Sequence, residues 1–408
     1  MNIRYCLRAV IFAALAMCAP VVQFAWADAI SDWNIKGGQW VTDANTGAPV
    51  ANRILAISHL AMYEATNAIT RRYPPSGVQI EAAPGSSVDA AIAAAAHVTL
   101  AKLLPTQQAP IDAAYQMELA KIPDGPARAG GVAIGEKAAA AALAQRGDDG
   151  ASRGETYRPF TTPGVYVPTV IPAAAQWPQR TPWLMTGAAQ FRPGPPPALT
   201  SDVWARDFNE VKSLGARSST SRSAEQTEIA RFWEATLPPI YHGLVRSVAN
   251  TPGREVTQNA RLFMAVTQGS DDALIAVFDA KYQYGFWRPI TAIRNADVDG
   301  NDATERDPAW LPFIDTPTHP EYPCAHCIVS GAIGTVLQAA IGAGPPPTLT
   351  TTSPTAKGAS RTWASIAAFT EEVANARVYD GVHYRNSAEV GTAMGKKVGT
   401  LAVAKYLE

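Results

Sequence analysis

The sequence predicts an all-α protein of the helix-bundle type, and three observations predict it. Alanine runs recur along the chain, apolar residues return at the three-to-four spacing of a helix, and alternating β-branched segments are few. The 408 residues are 47% apolar and 17% charged, enough for a sizeable core and incompatible with disorder throughout. A formal net charge of -1 excludes a nucleic-acid binder that works through a basic surface. The 32 prolines and 30 glycines follow no period, which excludes collagen and solenoid architectures.

The first element is a targeting segment. Arg4 and Arg8 precede the apolar stretch 9–22, and Ala25-Trp26-Ala27 places small residues where a signal peptidase reads. Cleavage there gives an exported protein, periplasmic or secreted, starting at Asp28; the alternative is an uncleaved membrane anchor. Loss of residues 1–27 leaves 32 basic residues against 35 acidic, and Cys324 and Cys327 as the remaining cysteines. One close pair is no disulfide scaffold, so an ordinary core must hold the fold.

The N-terminal helical region is expected over 28–150. Residues 53–69 (RILAISHLAMYEATNAI) carry apolar residues at helical spacing. Ser86-Ser87-Val88-Asp89 opens a second helix that Pro105 ends, residues 111–120 and 131–145 continue the theme, and Gly147-Asp148-Asp149-Gly150 breaks it. Over 151–200, prolines alternate with Tyr157, Tyr166, Trp177 and Trp183, which predicts a long connection wrapped on the surface. The region 201–408 predicts helices over 201–214, 224–236, 256–284, 325–342, 361–376 and 387–406. The stretch 328–344 is uncharged but rich in glycine and alanine, as suits a helix packed closely among neighbours rather than a membrane span.

Six histidines are present, and a lone histidine is most often structural. His59 and His97 lie on alanine-rich faces and read as structural, whereas His242 and His319, beside prolines, are left undecided. His326 and His383 have chemical company. In KYQYGFWRP, Lys281 and Arg288 stand seven apart, two turns along a helix that Pro289 would end, so both cations aim at one point. HPEYPCAH sets Pro323-Cys324-Ala325-His326 at a helix start, where free N–H groups favour an anion. ARVYDGVH adds Arg377 and, six residues later, His383. Three cations, two imidazoles and a helix N-terminus are equipment for a tetrahedral oxyanion such as phosphate or vanadate.

These three segments, in this order, resemble the superfamily of type 2 phosphatidic acid phosphatases and vanadium-dependent haloperoxidases, whose pattern runs K-x6-R-P, P-S-G-H, S-R-x5-H-x3-D. The resemblance is specific from about Ser201 onward, and HLAMYEATNAI is similar to the first helix of haloperoxidase-type members. It implies two packed helix bundles with the oxyanion site in the C-terminal one. It implies that Lys281, Arg288 and Arg377 bind equatorial oxygens, with Cys324 and Ala325 at the same anion. His326 would be the general acid–base, and His383 would bond to vanadium or act as nucleophile on phosphorus. Four positions depart from the pattern, one being Ala376 in place of the serine before the arginine. Cys324 stands for the serine donor, Ala325 for glycine, and Ser387 for the acid that orients the second histidine, so a carbonyl, Asp380 or Glu389 is expected to take over that task.

The implied activity is a vanadate-dependent haloperoxidase, oxidising halide with hydrogen peroxide. The alternative is a soluble acid phosphatase that needs no vanadate and passes a phosphoester's phosphoryl group through a phosphohistidine. Extra N-terminal helices favour the first, and neither implies nucleic acid or, in the mature form, membrane. Two further readings are a non-catalytic oxyanion-binding protein and a dithiol oxidoreductase working through the C-x-x-C of Cys324 and Cys327.

Overall fold

The computed structural model describes residues 28–75 and 79–408; the expected signal peptide, 1–27, lies outside the described residues. The molecule is all-helical apart from one small hairpin. In chain order the helices are α1 (Ala29–Asp43), α2 (Ala48–Thr70), α3 (Val88–Leu103), α4 (Gln108–Ala120), α5 (Pro126–Gln145), α6 (Asp202–Leu214), α7 (Ala224–Trp233), α8 (Pro239–Ala249), α9 (Val256–Tyr284), α10 (Pro289–Arg294), α11 (Ala325–Ile341), α12 (Ile366–Tyr379) and α13 (Arg385–Tyr406). Strands β1 (Leu349–Ser353) and β2 (Ala359–Trp363) pair antiparallel between α11 and α12.

Most helix starts follow from their caps. Asp28, Ser87, Ser201 and Ser365 each accept a hydrogen bond from a backbone N–H of the first turn, and Ser223 forms a reciprocal capping box with Gln226. The sequence does not announce α1 or α8. In α1 the pair Gly37-Gly38 interrupts the pattern, and α8 begins at Pro238-Pro239, where proline is tolerated only because first-turn N–H groups lack helical partners. The helix expected over 361–376 begins instead at Ile366. The residues before it form β2, because threonine-rich β1 offers a pleated partner and Trp363 packs against Phe232, Trp233 and Phe369.

The long α9 is the axis of the molecule, buried over most of its length. It packs on α2 from the N-terminal half and on α11 and α13 from the C-terminal half, within one continuous apolar core. The closest helix pair is α11 against α13. A Cβ on Gly395 would lie 2.1 Å from the Ile328 carbonyl oxygen, so this approach admits only glycine. That is the close packing the Gly/Ala content of 328–344 predicts. No single helix among the described residues is long and apolar enough to cross a membrane.

Apart from a 3₁₀ turn at Trp177–Gln179, the proline-rich connection has no helix, and carboxylates of α9 strap it down. Arg180 bonds to Asp271 at 2.6 and 2.9 Å and to Asp149 at 2.8 Å. Asp272 accepts the backbone N–H groups of Trp183, Leu184 and Met185, and Asp279 takes both arms of Arg192. Further back in the connection, Tyr166 N–H donates to the Gly285 carbonyl and Trp287 N–H to that of Gly164, which fixes the turn after α9.

Candidate active site: a buried cradle for a tetrahedral anion

The sequence-predicted residues do converge, but from more elements than expected. Lys281 lies in the last turn of α9, which ends at Gly285 in the left-handed conformation (φ 56°). Arg288 is therefore not two turns along the same helix. It caps α10 after the chain has turned, and the bonds to Gly164 and Tyr166 aim it back beside Lys281. His326 sits in the first turn of α11, Arg377 in the last turn of α12, and His383 in the loop that enters α13.

Lys281, Arg288, Arg377 and His383 are each no more than 1% exposed, and His326 is 9% exposed. The cations are held mostly by carbonyls. Lys281 Nζ donates to Pro320 and Glu321 at 2.9 and 2.8 Å, and Arg288 to the carbonyls of His319 and Val382 at 2.9 and 2.8 Å. Arg377 donates to the Trp233 carbonyl at 2.8 Å and pairs with Asp380 at 2.5 Å. Its Nε has no hydrogen-bond partner among the described residues. Burial, with Arg288 and Arg377 nearby, pushes the Lys281 ammonium well below its ordinary range. Burial also brings Arg288 down to about 10.

The tautomer of His383 follows from its neighbours. Arg288 Nη1 approaches His383 Nε2 at 3.3 Å, and a guanidinium can only donate, so Nε2 presents its lone pair. The proton therefore resides on Nδ1, which donates to Glu321 Oε1 at 2.8 Å. Burial and the surrounding Arg288, Lys281 and Arg377 push this imidazole well below its ordinary value, so it is neutral near pH 7. Burial raises the Glu321 carboxyl to about 7 against the pull of Lys281 and Arg288.

Glu321 corrects the expectation raised by Ser387. Neither Asp380 nor Glu389 orients His383: Asp380 is engaged by Arg377, and the orienting acid comes from the loop before α11. Ser387 Oγ lies 3.5 Å from the same Nδ1. His319 joins the site as well. Its Nδ1 lies 3.0 Å from Arg288 Nη2 and 3.2 Å from the Pro320 carbonyl, and since it cannot accept and donate at once the shorter contact makes it an acceptor. The available signal for both was their place in HPEYPCAH, where Glu321 is the lone acid in a proline-flanked stretch. His326 Nε2 donates to the Ala235 carbonyl at 3.0 Å.

Cys324 is the N-cap of α11, its sulfur accepting from the Cys327 N–H, and it is disulfide-bonded to Cys327. It therefore has no S–H to offer an anion. Ala325 stands in the first turn without a positive φ, so the alanine costs nothing there. His59 and His242 are occupied elsewhere, both accepting from the amide of Asn34, which Arg246 orients; His97 pairs with Asp112.

A cavity of about 350 Å³ opens onto His319, His326, Arg377 and His383. The residues at that end fit a tetrahedral oxyanion. Three buried cations face two carboxylates, one guanidinium nitrogen is uncommitted among the described residues, and a neutral imidazole offers its lone pair.

Fold and site together define a helical protein in which buried cations and two histidines gather at one end of a cavity. Residues 261–408 match the family described as the VCPO second helical-bundle domain. The vanadium chloroperoxidase of Curvularia inaequalis is 31% identical over a stretch covering 29% of this chain and 23% of that protein, so the match spans under a quarter of the relative's length. The fold matches the crystal structure of the first bacterial vanadium-dependent iodoperoxidase, with a TM-score of 0.78 at 23% identity over 93% of this chain and 96% of that one. It also matches a holo-type bacterial vanadium-dependent chloroperoxidase, with a TM-score of 0.69 at 20% identity over 88% and 93% of the two chains. Over residues 261–408 the chain is thus similar to that helical-bundle family, and its fold as a whole is that of the bacterial vanadium-dependent haloperoxidases.

Proposed function

We propose that this protein is a vanadate-dependent haloperoxidase that oxidises halide with hydrogen peroxide. The observation that carries the reading is His383, neutral, with Nδ1–H on Glu321 and its Nε2 lone pair turned toward Arg288 in a cluster with excess positive charge. A ligand of vanadium must present that lone pair, and an oxyanion must meet those cations. Vanadate bound there supplies a Lewis-acidic centre for activating peroxide. Lys281, Arg288 and Arg377 hold the oxyanion's negative oxygens, the Arg pair through directional N–H donors. His326 holds its proton at Nε2, against the Ala235 carbonyl, and lines the cavity as the group that exchanges protons with the bound species.

The second reading is a phosphatase, favoured by the same lone pair, which is equally a nucleophile for phosphorus. A dithiol oxidoreductase is disfavoured because both sulfurs are fully buried. Export to an oxidising compartment accords with the disulfide and belongs to the same proposal.

Protein loaded with orthovanadate, assayed for bromide oxidation by peroxide, tests the first reading; phosphate-ester hydrolysis by the vanadate-free protein tests the second. His383→Ala is expected to lose most oxyanion affinity, and His326→Ala to keep the anion but lose turnover. Equal loss of affinity in both variants contradicts this division of roles.

A further inference from the structure

The cavity is much larger than its anion end requires. A water molecule takes roughly 30 Å³ of liquid, and halide, peroxide and a tetrahedral oxyanion are all small species, whereas the cavity holds about 350 Å³. That is the lower end of the size range in which proteins bind organic molecules. Away from the cations its wall is mostly carbon, with Ala48 and Pro49 from the start of α2, Ala173 from the connection, Leu274 and Phe278 from α9, and Val329 from α11. Asn52, Thr236, Tyr241 and Thr318 interrupt it. Phe278 meets the ring of His319 edge-on, with centroids 5.2 Å apart, so the apolar wall reaches the histidine that bonds Arg288. An apolar chamber of this kind hydrates poorly and binds apolar bodies of matching size.

We propose that this chamber is the binding site for the apolar, aromatic-sized body of an organic substrate, whose reacting end lies against His326 and His383. The proposal rests on the oxyanion reading above and adds the substrate class. It also gives the N-terminal half a part in the site, because Ala48, Pro49 and Ala173 come from outside the C-terminal bundle. In the peroxidase the body would belong to a free aromatic acceptor, and in the phosphatase to the leaving group of an ester. The recognised chemistry is the same.

The test is calorimetric and uses vanadate-free protein with inorganic phosphate, methylphosphonate and phenylphosphonate. Phenylphosphonate is expected to bind at least ten-fold more tightly than methylphosphonate. Ala48→Phe and, from a different element, Ala173→Phe fill the chamber and should each abolish that difference while phosphate affinity holds. Both alanines are only partly buried, so the added ring need not disturb the core. Phosphate binding with equal affinity for the two phosphonates overturns the chamber proposal and leaves the oxyanion reading standing. Failure of all three anions to bind overturns the oxyanion reading itself. Phenol binding to vanadate-loaded protein, lost in Ala48→Phe, assigns the occupant as a free acceptor. A ring that binds only when carried on the phosphonate assigns it as an ester's leaving group.

Discussion

Two buried clusters of charge lie along α9, and they are built on opposite plans. Around Arg180, one guanidinium meets two carboxylates, Asp149 and Asp271, and those carboxylates hold its charge more firmly than in water despite burial. Around Lys281, three cations are gathered with two carboxylates, of which only Asp380 pairs directly with a cation. Lys281 and Arg288 spend their donors on main-chain carbonyls, which fix their positions but bring no negative charge. Burial weakens the charged form in this cluster and is outweighed in the other. A cluster whose charges cancel serves as a strap; one held in place by dipoles with its charge left over is what the proposed function reads as a receptor for an anion.

The comparison is broken most directly by removing one group from each cluster. Asp271→Ala leaves Arg180 buried with half its partners and detaches the connection from α9, so urea denaturation should show a loss of about 3–5 kcal/mol. A loss below about 1 kcal/mol would mean that Arg180 is not a strap. Lys281→Met should do the reverse. It removes one of three mutually repelling buried cations, so the denaturation midpoint should stay or rise, while phosphate and vanadate affinity fall about 100-fold, or about 2.7 kcal/mol. Arg377→Lys should lose comparable affinity, since an ammonium cannot supply both the Trp233 and anion-facing donors of the fork. Undiminished anion binding in either variant would sink the receptor reading.

Much of this was legible because the chemistry resides in local segments. The spacing from Lys281 to Arg288, Cys324 before His326 and Arg377 before His383 names the convergent residues from sequence alone. The capping pattern at Ser86-Ser87 likewise fixes where α3 begins, because a cap acts within four residues. What stayed hidden depends on long-range contact. Glu321 reaches His383 from 62 positions away, and nothing in its own segment says which histidine it meets. Arg288 was placed on the wrong element because Gly285 ends α9 with a left-handed residue, while Pro289 looked like the stop. The apolar chamber could not be read at all, since Ala48 and Leu274 are ordinary core-type residues until the fold brings them to one cavity.

The relocated acid sharpens the comparison at the next level of effect. Glu321→Gln keeps the size of the side chain but can turn its amide N–H toward His383 Nδ1, favouring the wrong tautomer. Oxyanion affinity should drop about ten-fold, and ¹⁵N NMR of the imidazole should show the proton shifted from Nδ1 to Nε2. Ser387→Asp added to that variant restores a carboxylate from a side chain already 3.5 Å from Nδ1, and should recover most of the loss. A double variant no better than Glu321→Gln would show that Glu321 serves packing and not the imidazole.

The smallest expected effect concerns Cys324, where the receptor cluster lacks a donor. Its sulfur caps α11 by accepting from the Cys327 N–H and is closed onto Cys327, so it has no proton for an anion at the helix start. In Cys324→Ser the hydroxyl oxygen can still cap the helix, and serine is a strong N-cap, so the loss of the short disulfide loop should be largely offset. The hydroxyl proton then becomes free to face the anion. One added neutral donor contributes about 1 kcal/mol, so vanadate affinity should rise by roughly two- to five-fold, and peroxidase turnover should be kept or increased. The same substitution would abolish activity if the cysteine pair were the reactive centre. A Cys324→Ser protein that binds vanadate as wild type does but has lost turnover would therefore move the chemistry from the cations to the sulfurs.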